Sequence, residues 1–108
     1  MTFVEKAQVN DIGTIFRATI YDTSSTGTTV VADISSATTK KFIFKKPSGD
    51  TFERVAVFTD DGSDGQIEYA TVDGDLSGPG TWHLQAYVAT PDGNWSTSVG
   101  YFKVNENL

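Results

Sequence analysis

The stretch Thr81–Val104, TWHLQAYVATPDGNWSTSVGYFKV, reads as a strand, a tight turn and a second strand. It holds both tryptophans, the sole histidine and two of the four tyrosines. Side chains alternate across a strand, so Trp82, Leu84, Ala86 and Val88 share one face. His83, Gln85 and Tyr87 share the other. The PDGN turn, Pro91 to Asn94, puts proline at a first central position and glycine where positive φ is needed. The returning strand sets Phe102 and Val104 inward. Trp82, Leu84, Val88, Phe102 and Val104 are therefore expected in a core.

The same alternation extends through the rest of the chain. Phe3 to Val9 reads as a first edge strand. GTIFRATIYD places Phe16, Ala18 and Ile20 together, and TTVVADIS holds a short strand around Val30. In TTKKFIFKKP, Phe42 and Phe44 oppose Lys41, Ile43 and Lys45. FERVAVFT pairs Ala56 with Phe58, and GQIEYATV groups Ile67, Tyr69 and Thr71. PSGD (Pro47 to Asp50) and DDGSDG (Asp60 to Gly65) are turns, DGDLSGPG (Asp73 to Gly80) a longer link, and DTSSTGTT a polar loop tip. No window keeps apolar residues at helical spacing. Short strands with such turns predict an all-β fold, an antiparallel β-sandwich of seven or eight strands in one domain over residues 1–108.

The 108 residues suffice for one core, and there is no cysteine for a disulfide or thiolate metal site. Eight basic residues against fourteen acidic ones leave a net charge of −6, which argues against nucleic acid and against an anionic membrane surface. No apolar run approaches a membrane span. MTFVEKAQVND lacks the basic and apolar regions of a secretory signal, so synthesis and use without export are expected.

Few residues suggest chemistry. His83 lies on the polar face with no nucleophile in a recognisable motif, and no catalytic residues are expected. Asp60, Asp61 and Asp64 are weighed as calcium ligands. Gly62 breaks the EF-hand order and Thr71 stands at the twelfth place, so a backbone turn is the better reading and no metal or cofactor is expected. Asp73 and Asp75 raise the paired carboxylates of glycosidases but read as a solvated turn. Lys40, Lys41, Lys45 and Lys46 flank a hydrophobic strand, as lysines do where they block edge pairing. Trp95, Tyr101 and Tyr87 are the candidate surface contacts. They suit sugar stacking or protein docking, unless Trp95 packs across the hairpin near Val88 or Tyr87.

Four pieces occur in order: DIGTIFRATIYD, VVADISSATTKKFIFKKPSGDT, TDDGSDGQIEYAT and DLSGPGTWHLQAYVATPDGNWSTSVGYFKV. Together they resemble the Ig-like domain of bacteriophage virion proteins, particularly the N-terminal domain family of upper baseplate proteins. The resemblance runs from about Asp11 to Val104. Ile34 matches the family's buried leucine, Ala37 its small buried residue and Trp82 its core aromatic, while Ser36 stands where glycine is usual. The resemblance implies an Ig-like sandwich with no enzyme activity and no cofactor. It implies a structural part of a tail or baseplate, made in the host cytoplasm and located in the virion. The expected partners are other virion proteins and further copies of the chain in a symmetric assembly, with Phe3 to Val9 open to strand addition. A capsid-decorating protein and a host-surface glycan-binding module are the alternatives.

Overall fold

The computed structural model describes residues 6–23, 27, 29–97 and 99–106. Among them the fold is all-β, with eleven strands and no helix. The strands are β1 (Lys6–Gln8), β2 (Ile15–Thr19), β3 (Tyr21–Thr23), β4 (Thr29–Val31), β5 (Thr39–Lys45) and β6 (Thr51–Val55). They continue with β7 (Val57–Phe58), β8 (Gln66–Ala70), β9 (Gly80–Thr90), β10 (Gly93–Ser96) and β11 (Gly100–Asn105).

The count exceeds the expected seven or eight because continuous apolar patterns are broken where the chain changes partners. At Ile20 the backbone N–H donates to the Gly65 carbonyl at 2.8 Å, and the Ile20 carbonyl accepts from Ala32 at 3.0 Å. GTIFRATIYD thereby splits into β2 and the start of the β3–β4 hairpin. At Ala56 the N–H donates to the Lys40 carbonyl at 2.9 Å, and the chain passes from one sheet to another.

A six-stranded sheet runs β1-β11-β9-β5-β6, with β10 also on β9. A second sheet of three strands runs β2-β8-β7, and β3 pairs with β4 alone. The expectation of a wholly antiparallel arrangement fails at one place, since β1 lies parallel to β11, Ala7 opposite Val104. Strands this far apart in sequence are not joined by a hairpin, so no short turn forces them antiparallel. Of the expected first strand, Phe3 to Glu5 lie outside the described residues, and Lys6–Gln8 form the sheet edge.

The two larger sheets meet through their apolar faces. The ring of Phe16 on β2 lies 5.5 Å from Phe44 on β5 and 4.8 Å from Phe102 on β11. Trp82, Leu84, Val88, Phe102 and Val104 are all buried, as is Ile34, while Ala37 is only partly covered against the same cluster. The Trp82 indole N–H donates to the Gly78 carbonyl at 3.0 Å, which satisfies the polar edge of a buried ring.

The final hairpin carries a bulge. Ser96 opposes Tyr87, but Gly100 opposes Leu84, so the register against β9 shifts by one residue between β10 and β11. Thr97 fills the gap. Its Oγ1 accepts the Ala86 N–H at 3.0 Å, and its carbonyl accepts the Gln85 side-chain amide at 2.8 Å.

Candidate functional site

Alternation on β5, β6, β9 and β11 turns a second set of side chains away from the core, onto the outer face of the six-stranded sheet. Register places Tyr101 opposite His83, His83 opposite Lys45, and Lys45 opposite Thr51. In the next rows Ile43 lies between Gln85 and Glu53, and Lys41 lies between Tyr87 and Val55. A shallow hollow of about 200 Å³ opens on this face, lined by Ile43, Lys45, Thr51, His83, Gln85 and Val99 with the edge of Leu84. Tyr101 is 73% exposed beside it and Val99 is 60% exposed.

The three candidate contact residues do not converge. Tyr101 and Tyr87 stand on the outer face, with the Lys41 ammonium 5.2 Å from the Tyr87 ring centre. Trp95 sits opposite Val88, on the inner side of the same sheet, and packs half-buried against the core. His83 is exposed.

The lysines around Phe42 and Phe44 do not guard an edge, because β5 pairs with both β9 and β6. They lie instead along neighbouring groups. Lys40 stands 4.4 Å over the Phe58 ring and Lys46 5.7 Å over Phe52, while Lys41 pairs with Glu53 at 2.8 Å. Long stems covering aromatic surface, with the ammonium kept in water, explain the pattern.

The acidic turns satisfy their own backbone. Asp61 Oδ1 accepts the Ser63 N–H at 2.9 Å and the Ser63 hydroxyl at 2.6 Å, and Asp33 holds Ser35 in the same way. These bonds hold both carboxyls below the usual aspartate value. Asp64 accepts the Gln66 N–H at 3.1 Å. Among the described residues no three His, Cys, Asp or Glu side chains are grouped to hold a metal ion, and no helix is long and apolar enough to cross a membrane.

Asp75 corrects the reading of its loop as a solvated turn. Asp73 is exposed, but Asp75 is only 1% exposed. Arg54 donates to Asp75 Oδ1 through Nε at 2.9 Å and lies at 2.8 Å through Nη2. Oδ2 accepts the Tyr69 hydroxyl and the Val72 N–H, the latter at 2.9 Å. Burial pushes the Asp75 carboxyl up, but the bonds from Tyr69, Val72 and Arg54 outweigh it and hold the pKa below the usual value. Burial and the Asp75 carboxylate push the Tyr69 phenol up to about 12.

This cluster joins β6 of one sheet, β8 of the other and the loop before β9, so it clamps the sheets at one end. One signal for it was present in FERV. An arginine that shares the inward face with Phe52 requires a carboxylate partner, because a charge is not buried unpaired. The outer-face hollow had no such local signal, since its lining comes from three separate strands and the loop before β11.

Neither a known family model nor any curated protein sequence matches the chain.

Proposed function

We propose that this chain is a non-enzymatic structural domain of a bacteriophage virion, of Ig-like sandwich type, that works by docking to other virion subunits. The observation that carries the reading is the strand order. One sheet runs β11-β9-β5-β6 and the other β2-β8-β7. Ig domains place their strands G-F-C-C′ in one sheet and B-E-D in the other. The four ordered sequence pieces that resemble the phage family fall on these same strands. The exposed tyrosine and valines of the outer face supply a surface suited to protein contact.

The test is composition of the particle. Virions banded on a density gradient should contain the chain at a fixed copy number by quantitative mass spectrometry. Its absence from banded, infectious particles would overturn the reading.

A further inference from the structure

The outer face of the six-stranded sheet differs in charge from the molecule that carries it. The chain is net −6, with fourteen acidic residues. Yet strands β5, β6, β9 and β11 project Lys41, Lys45 and Lys103 from this face, and Glu53 is their only carboxylate there. Lys41 is held by Glu53. Lys45 and Lys103 form no ion pair among the described residues. Between and beside these charges lie the hollow at Ile43 and Val99 and the ring of Tyr101.

A complementary surface exists on the same chain. Asp22 on β3, Asp33 after β4, and Asp60, Asp61 and Asp64 in the β7–β8 turn belong to one end of the fold. Backbone bonds tie these segments together, Ile34 N–H to the Gly62 carbonyl at 2.9 Å and Ile20 N–H to that of Gly65 at 2.8 Å. Lys40 approaches this end over the Phe58 ring. The β3–β4 hairpin beside the carboxylates leaves Tyr21 50% and Val30 53% exposed. A two-stranded hairpin is marginal alone in water and gains by docking its apolar side chains.

We propose that the acidic end of one copy, with the exposed Tyr21 and Val30 of β3 and β4 beside its carboxylates, docks on the lysine-bearing outer sheet face of a second copy. The contact is head-to-tail. A twofold contact of this face with itself would bring the lysines together, and like charges across an interface are repelled. A head-to-tail contact repeats from copy to copy and closes into a ring or extends as a filament. The inference rests on the docking reading above and supplies its surface and one of its partners.

Light scattering after size exclusion, in low salt and at high protein concentration, should give a mass well above the 11.7 kDa chain. High salt should return it to the monomer, because exposed charges more than about 8–10 Å apart are screened at physiological salt and shorter distances at higher salt. Two double variants decide the geometry. Lys45→Glu with Lys103→Glu reverses the face, and Asp22→Lys with Asp60→Lys leaves the end with three carboxylates against two lysines. Each alone should be monomeric, with an unchanged circular dichroism spectrum and melt. Mixed together they should pair again, since the unaltered acidic end of the first variant meets the unaltered lysine face of the second.

A monomeric parent in low salt overturns the proposal. So does an oligomer that both double variants leave intact, or a mixture that stays monomeric. These outcomes are separate from particle composition: a chain present in virions but monomeric alone would keep the structural reading and reject self-docking.

Discussion

Arg54 on β6 reaches across to Asp75 in the loop before β9 and places two guanidinium nitrogens on a single carboxylate oxygen, at 2.9 and 2.8 Å. That leaves Oδ2 for Tyr69 and Val72, so both oxygens of the buried carboxylate are satisfied. Removing the arginine alone strands the charge. Arg54→Leu should destabilise by about 2–3 kcal/mol, less than a fully buried pair because the Arg54 side chain is 37% exposed and partly screened by water. Urea unfolding of parent and variant measures it. An unchanged midpoint would mean that the pair contributes nothing.

The same cluster predicts an acid limit. The folded pKa of Asp75 lies below its unfolded value of 3.8, so its stabilisation is complete above that value. It declines as pH falls below 3.8 and is gone once the folded pKa is passed. Asp75→Asn should therefore be less stable than the parent at neutral pH, with the gap closing in acid. Melts across the acid range test this, and a gap that holds constant would exclude Asp75 as its source.

Tyr69 supplies the alkaline counterpart. Its phenol is pushed up to about 12 from 10.0, so folding favours the protonated form. That contribution is present below 10 and is lost as pH rises through about 12. Ultraviolet titration of the four tyrosines should show one late step, absent in Tyr69→Phe. A late step that persists in the variant would assign it elsewhere.

Gly65 should tolerate no side chain. Its φ is +71°, and an added Cβ would stand 2.7 Å from Val31 Cγ1, 2.8 Å from the Ile20 carbonyl oxygen and 2.9 Å from that of Ala32. Two of these atoms are backbone and cannot swing away. Gly65→Ala should cost about 2–4 kcal/mol, combining backbone strain with overpacking. Gly49, at φ +98°, has nothing within 4 Å, so Gly49→Ala bears the strain alone, about 1–2 kcal/mol. Equal losses in denaturant melts would contradict the crowding.

Trp82 is the largest fully buried side chain. Trp82→Ala should cost about 3–5 kcal/mol. That is enough to unfold a domain of ordinary stability. Loss of cooperative melting, or a transition lowered by that amount, is the expected outcome. A melt matching the parent would remove Trp82 from the core.

Much of this was legible in the chain itself. Alternation around Phe16, Phe42, Phe44, Ile67, Trp82 and Phe102 identified inward faces that the fold then buried. The hairpin at Pro91–Asn94 was legible because turn chemistry is local. Trp95 shows the limit. Its neighbours did not say which face it takes, and only pairing with Val88 turned it inward, away from Tyr101.

The sequence by itself determined that the chain makes short strands, which side chains those strands turn inward and where most of them turn back. These follow from a two-residue period and from φ preferences, which act within a few positions. Tertiary structure decided that β1 runs parallel to β11, that Asp75 is buried under Arg54, and that Tyr101, His83 and Lys45 share a row. Such meetings join residues far apart in sequence. They are selected by the packing of both sheets together, because a buried charge or an unpaired strand is stable only when its distant partner is in place.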